Sequence, residues 1–275
     1  MLPITAISVA YNSAAILPGL VASLPATLPL VIVDNGPDDG MRAWAAARGI
    51  TVQVSPTNLG FGSGCNLGAA QAETEFLLFI NPDARLDPGT LDRLLAAAAR
   101  HPQAAAFGPV MVDDTGRARY TRNSYLLPRA AKPPRDPGPD DRIVGVLSGA
   151  VLMVRRAAFQ AVGGFDPAIF LYFEDDDLAL RLTKSCGPLI LVPAARAAHA
   201  LGHSSTPSPA LSRFKGYHWA RSRMHVGRKH GRPLPWLAGF WDGLSHLLST
   251  RSWADAEHRN EALGRLSGAL SILRP

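Results

Sequence analysis

The sequence predicts an α/β domain built on a largely parallel sheet. Short apolar runs alternate with stretches of helical spacing, the order that βαβ units require. Two of those runs end in turn-forming residues that include an acid, Asp34-Asn35-Gly36 and Asn81-Pro82-Asp83. The composition, 47% hydrophobic and 18% charged, is that of a folded chain. In order, residues 4–10 read as a strand, 14–24 as a helix and 30–33 as a second strand. Residues 40–48 follow as a helix, 51–54 as a strand, 63–72 as a helix and 76–80 as a strand. An alanine-rich helix is expected at 88–100. Residues 128–141, rich in Pro, Arg and Asp, read as a loop or lid. Strands are expected at 143–147, 151–154 and 189–192, the last leading toward His199. Beyond residue 205 a basic helix at 208–230 precedes Arg232-Pro233-Leu234-Pro235, and 236–248 is amphipathic.

A chain of 275 residues forms one large domain or two small ones. The net charge of +6 and pI near 9.7 suit anionic membranes or phosphorylated substrates. No compact Lys/Arg run interleaved with aromatics appears, which argues against nucleic acid. Cys65 and Cys186 fit neither a metal spacing nor a disulfide framework, so two buried thiols in a reducing compartment are expected. The first residues lack the basic region and apolar core of a signal peptide, and no apolar stretch is long enough to span a bilayer.

Four consecutive carboxylates, Glu174-Asp175-Asp176-Asp177, follow the apolar run Phe170-Leu171-Tyr172-Phe173. Apolar and like-charged neighbours raise a carboxylate's pKa and make it a proton acceptor, whereas a plain acidic helix start also explains the run. Asp34 and Asp83 fall at strand ends, where ligands of parallel sheets bind. A divalent cation could bridge Asp83 to a diphosphate, although Asn81-Pro82-Asp83 also suits a simple turn. His199-Ala200-Leu201-Gly202-His203-Ser204-Ser205 offers an imidazole to such a site, or forms a surface loop. The glycine-rich turn from Asn58 to Asn66 could let backbone approach a phosphate or base, but it fails the dinucleotide fingerprint, which counts against an NAD enzyme.

Taken in order, Val9-Ala10-Tyr11-Asn12-Ser13, Val33-Asp34-Asn35, Asn58-Leu59-Gly60-Phe61, Asn66, Asn81-Pro82-Asp83, Ser148-Gly149-Ala150, Gly163-Gly164-Phe165-Asp166, Tyr172 to Leu178 and His199-x-x-Gly202-x-Ser204 resemble a family 2 inverting glycosyltransferase. The likeness is to the rhamnosyltransferase-like branch and covers about residues 3–230. It implies a GT-A fold, a Rossmann-like mixed sheet flanked by helices, with a C-terminal helical extension. The implied catalytic domain is 1–205, divided into a nucleotide half, 1–84, and an acceptor half, 85–205, with the extension at 206–275. By matching position, Ala10, Tyr11, Asn12, Asp34, Asn58, Gly60, Phe61, Asn66, Asn81, Ser148 and Gly149 border the donor. Asp83 and His199 hold Mg²⁺ or Mn²⁺, with Asn81 standing where the family's metal motif has its first acid. Asp175 is the catalytic base, Asp166 and Glu174 lie on the acceptor side, and Arg221-Ser222 is close to phosphate.

The implied reaction moves a sugar, rhamnose in this branch, from a UDP or dTDP donor to a glycan or lipid-linked acceptor of bacterial surface polysaccharide. It would take place in the cytoplasm, at the inner face of the membrane. A non-catalytic nucleotide-sugar-binding subunit is the alternative, and retention of both Asp83 and Asp175 argues against it. The apolar face of 236–248 beside the upstream Arg and Lys residues suits anionic lipid, with packing on the domain or a homodimer contact as competing uses.

Overall fold

In the computed structural model, which describes residues 2–113, 115–128, 132–199 and 208–271, one sheet of ten strands runs through the catalytic region. Its strands are β1 (Ile4–Ala10), β2 (Leu30–Asp34), β3 (Thr51–Val54), β4 (Phe76–Ile80), β5 (Ala84–Leu86), β6 (Ala106–Val112), β7 (Ala118–Arg119), β8 (Arg142–Val144), β9 (Val151–Arg155) and β10 (Leu189–His199). The spatial order is β3-β2-β1-β4-β9-β6-β10-β5, with β7 on β6 and β8 on β10. The expectation of a largely parallel sheet holds only for the first half. The pairings β3–β2, β2–β1 and β1–β4 are parallel, whereas β9 runs antiparallel to both β4 and β6. Beyond them β10 is parallel to β6, and β5 and β8 are antiparallel to β10. The sheet is therefore mixed.

Helices α1 (Leu17–Ser23), α2 (Met41–Ala46), α3 (Phe61–Ala69), α4 (Thr90–Arg100), α5 (Arg156–Ala161) and α6 (Glu174–Ser185) cover the sheet. Successive strand residues point to opposite faces, so β1 and β4 divide between two cores. Ile4, Ala6 and Leu78 face one side with Leu94 of α4, while Ile7, Leu77 and Phe79 face the other with Leu178 of α6. On that second face Phe79, Phe159 and Phe165 pack with ring centroids 5.0 to 5.6 Å apart, holding the turn before α6 against the sheet.

The crossing of the two halves brings distant loops together. Parallel pairing sets the carboxyl ends of β1, β2 and β4 side by side. The antiparallel register of β9 places Val151 opposite Ile80, and the Asn81 N–H donates to the Ala150 carbonyl at 2.9 Å. β10 extends well past the expected residue 192. Its register slips between Val192 and Arg196, around Pro193, which has no N–H to donate. The strand then continues antiparallel to β5, pairing His199 with Ala84 next to Asp83.

Helices α7 (Pro209–Lys229), α8 (Pro235–Leu247), α9 (Thr250–Ala254) and α10 (Ala256–Leu270) form the C-terminal region. α7 and α10 approach so closely that a Cβ on Gly216 would lie 2.2 Å from the Glu261 carbonyl oxygen, and one on Gly264 2.1 Å from that of Arg213. Glycine is required at both positions by contact rather than by backbone angle. α8 turns its small residues inward: Gly239 and Gly243 are buried, Gly243 against Leu266. Trp236 and Trp241 are left 47% and 59% exposed. The glycine face of α8 thus packs on α7 and α10, and the tryptophans are left outside. No described helix is long and apolar enough to cross a membrane. Cys65 is buried and Cys186 half-buried, both as free thiols.

Candidate active site

The loops gathered at the carboxyl ends of β1, β2 and β4 open onto a cavity of about 660 Å³. Of the expected residues, Tyr11, Asn58, Gly60, Phe61, Asn81 and Asp83 line it from the first half of the sheet. Ser148, Gly149, Glu174, Asp175 and His199 line it from the second. Asp83 sits in the turn after β4, where the Ala84 N–H closes on the Asn81 carbonyl at 3.0 Å. The expected turn is therefore present, and it sets Asp83 in the cavity lining. His199 Nε2 lies 3.0 Å from Asp83 Oδ1 and 3.2 Å from Asn81 Nδ2. Among the described residues no third His, Cys, Asp or Glu joins them. Residues 200–205 of the expected histidine loop lie outside the described residues.

The glycine-rich turn lines the cavity and also makes a close backbone approach to the segment before α6. Gly60 has φ +79°, and a Cβ there would strike the Phe170 carbonyl oxygen at 2.0 Å. The Phe61 N–H at the start of α3 donates to that same oxygen at 3.3 Å. Asn35, not anticipated as a site residue, clamps this turn. Its Nδ2 donates to Asn58 Oδ1 at 2.9 Å and to the Gly60 carbonyl at 3.2 Å, and its Oδ1 accepts from the Leu59 N–H at 2.9 Å.

The acidic run is a helix start and a site at once. Glu174 to Asp177 form the first turn of α6, after Tyr172 and Phe173, both held at positive φ (67° and 65°). Such angles cost about 1–3 kcal/mol each in residues with bulky side chains. Packing of Phe173 against Tyr125 and Trp219, with centroids 5.9 and 5.4 Å away, helps hold the bend. Asp175 Oδ2 accepts from the Gly149 N–H at 3.4 Å and its Oδ1 from the Asp176 N–H at 3.0 Å. Burial raises its pKa against these hydrogen bonds. Burial and the adjacent Asp175 charge push Glu174 up to about 8. Asp176 rises to about 7 for the same reasons, although the Ser124 hydroxyl and Tyr125 N–H hydrogen-bond to it. Glu174 Oε2 and Asp176 Oδ1 are inaccessible and have no partner among the described residues. Burial and shared charge thus make all three carboxyls hold their protons more tightly than isolated carboxylates do.

Other expected site residues stand elsewhere. Asp34 is buried and paired with Arg42 at 2.5 Å, away from the cavity lining. Ala10 and Asn12 also lie outside the lining. Both amide atoms of Asn66 are spent on Phe165, at 2.8 Å to its carbonyl and its N–H, so Asn66 ties α3 to the turn before α6. Asp166 does not face the cavity. It binds Lys229 Nζ at 2.6 Å and His225 Nε2 at 2.9 Å on α7. Ser222 donates to the Leu171 carbonyl at 2.8 Å and Arg221 to the Tyr217 hydroxyl, so neither takes the phosphate-side place. Lys215, six residues earlier on α7, lines the cavity instead. The helical spacing of the basic residues alone gave no signal for which of them turns inward.

A family model for glycosyl transferase family 2 matches residues 5–163. The N-acetylglucosaminyl-diphospho-decaprenol L-rhamnosyltransferase of Mycobacterium tuberculosis is 33% identical, over 94% of this chain and 96% of that protein. The rhamnosyltransferase WbbL of Escherichia coli is 27% identical over 53% of this chain and 62% of its own length. Among solved structures, the mannosyltransferase PcManGT of Pyrobaculum calidifontis, in complex with GDP-Man and Mn²⁺, aligns with a TM-score of 0.61 at 18% identity, covering 98% of this chain and 75% of that one. These relatives support a glycosyltransferase of cell-wall polysaccharide synthesis, and nothing among them speaks for the non-catalytic alternative. The chain belongs to glycosyl transferase family 2, as a rhamnosyltransferase-like glycosyltransferase of the GT-A fold.

Proposed function

We propose that the protein is an inverting, metal-dependent rhamnosyltransferase that moves the sugar from a UDP or dTDP donor to a diphosphate-linked lipid acceptor. The observation that carries this reading is that Asp175 and the Asp83–His199 pair open on one cavity. Asp175 takes the proton from the acceptor hydroxyl, and that oxygen attacks the anomeric carbon opposite the leaving diphosphate. Glu174 keeps its proton at neutral pH and can donate a hydrogen bond inside the cavity. Carboxylate and imidazole are suitable donors for Mg²⁺ or Mn²⁺, and few protein ligands suffice where diphosphate oxygens complete the shell. Asp83 and His199, with Asn81 beside them, would hold the ion, whose charge favours departure of the diphosphate. Lys215 adds a cation on the α7 side of the same cavity. The acceptor class and the rhamnosyl group are those printed in the name of the mycobacterial relative.

The division into a nucleotide half at 1–84, an acceptor half at 85–205 and an extension at 206–275 belongs to the same proposal. The extension further serves as a contact with anionic lipid at the inner membrane face. Leu234, Trp236, Trp241, Leu248 and Trp253 are exposed there, and residues 206–275 carry eleven Lys and Arg against four Asp and Glu. A screen of UDP-, dTDP- and GDP-sugars with a diphosphate-linked N-acetylglucosaminyl lipid tests the function. Transfer is expected from dTDP- or UDP-rhamnose, with loss in EDTA and in Asp83→Ala. Transfer that is undiminished in EDTA would remove the metal from the mechanism.

A further inference from the structure

A second cavity, of about 300 Å³, lies under the segment expected to be a lid. Its lining includes Lys132 from that segment, Arg122, Asn123 and Ser124 from the residues just before it, and Val146 from the stretch ahead of Ser148. Arg122 is fixed: its Nε and Nη2 donate to the Pro133 carbonyl at 3.0 and 2.8 Å, and its Nε also to that of Pro134 at 2.9 Å. Its partners are neutral carbonyls, so the guanidinium charge is oriented but not cancelled. Among the described residues neither Arg122 nor Lys132 forms an ion pair with a carboxylate. Two unpaired cations and two amide- or hydroxyl-bearing side chains make a lining suited to phosphate oxygens.

The position is as informative as the chemistry. Ser124 lines this cavity and hydrogen-bonds to Asp176, the neighbour of Asp175. On the other strand of the connection, Val146 lines the second cavity, whereas Ser148 and Gly149 line the first, and the Gly149 N–H binds Asp175. At no more than about 3.5 Å per residue, Val146 and Gly149 stand within about 10 Å of one another. That is the reach of one sugar ring and the phosphate on its anomeric carbon. A hydroxyl at Asp175 and a phosphate beside Val146 are thus within the span of one acceptor sugar.

We propose that the cavity under Arg122 and Lys132 binds the diphosphate of the acceptor, and so selects diphosphate-linked acceptors over phosphate-free glycosides. The proposal rests on the glycosyltransferase reading for the identity of the ligand, but its test does not need turnover. Calorimetric titration without donor would compare a short-chain prenyl-diphospho-N-acetylglucosamine with octyl N-acetylglucosaminide. The full-length wild type, Arg122→Met, Lys132→Met and the charge-retaining Arg122→Lys would each be measured. The wild type is expected to prefer the diphosphate compound, and each Met variant to lose about tenfold or more of that preference. Arg122→Lys should recover part of it, with melting temperature confirming that all variants fold. A wild type without preference, or Met variants that keep it, overturns the proposal. If neither compound accepts sugar from any donor, the transferase reading falls while the binding preference still decides this site.

Discussion

The acidic run divides into two regions that differ in what faces them. Glu174 and Asp175 line the larger cavity and Asp176 hydrogen-bonds to Ser124 and Tyr125; none has a cationic partner among the described residues, and all three have raised pKa values. Asp177, next in the chain, is fully buried and turns toward α7. It meets Lys229 Nζ and His230 Nε2 at 2.8 Å and Arg181 Nη2 at 2.7 Å. Burial opposes ionisation there too, but the hydrogen bonds from Lys229 and His230 and the charge of Arg181 outweigh it, and its pKa is lowered. Asp166, sharing Lys229, is held below the usual carboxylate range in the same way. Identical chemistry in consecutive positions thus serves two ends. The paired carboxylates fasten α6 to α7, and the unpaired ones are left reactive on the cavity side of the same helical turn.

The largest expected effects follow from exchanging these roles. Asp175→Asn should lower kcat by about two to four orders of magnitude while leaving the melting temperature equal or higher, because an uncompensated charge is removed. Asp177→Ala should instead destabilise the fold by about 3–5 kcal/mol, since among the described residues Lys229 loses one of its two carboxylate partners and His230 its one carboxylate partner. Steady-state kinetics and thermal denaturation of both variants measure this contrast. Equal destabilisation by the two would abolish the distinction.

A smaller effect concerns pH. Glu174 and Asp176 bind protons more tightly folded than unfolded, so their contribution to stability falls as pH rises from the ordinary carboxylate values of 4.5 and 3.8 toward about 8 and 7. Asp166 and Asp177 act oppositely: their contribution is full above the ordinary carboxylate range and is lost only as acid protonates them below it. Melting temperatures of Glu174→Gln and Asp176→Asn between pH 5 and pH 8 should decline less with pH than those of the wild type. A slope unchanged in both variants would mean that the cavity carboxylates ionise normally.

The smallest effect concerns the membrane contact. Full-length protein should float weakly with anionic liposomes at low salt, and Trp236→Ser with Trp241→Ser should abolish flotation without changing the fold. Truncation after Pro235 is a poorer test, because it removes α10 from its close contact with α7. Protein that stays in the soluble fraction, or a double variant that floats equally, removes the membrane contact from the proposal.

Local patterns made much of this legible. The runs at β1 to β4 and the glycine, asparagine and acid signals between them marked out the parallel half of the sheet, since parallel strands buried on both faces, such as β1 and β4, are apolar throughout. β6 was not read although it is central, because Ala106-Phe107-Gly108-Pro109 mixes small residues with a proline and lacks a strand pattern. β5 is three residues long, and α10 carries a Gly264-x-x-x-Gly268 spacing that reads as poor helix until its partner is known. Asn66 and Asp166 were matched to the family's pattern by position, yet their bonds to Phe165 and to α7 make them tethers.

The sequence by itself determined the fold class and the family, and it marked Asp83, Asp175 and His199 as candidates that the fold brings to one cavity, because strand-end acids and motif order are local properties of the chain. Tertiary structure alone decided which member of a like-charged run is paired and which is left free. It also decided that Lys215 rather than Arg221 faces the cavity, and that β10 carries His199 past a register slip to Asp83. The physical reason is that pKa and pairing depend on what surrounds a side chain in space, and those surroundings come from strands and helices remote in sequence.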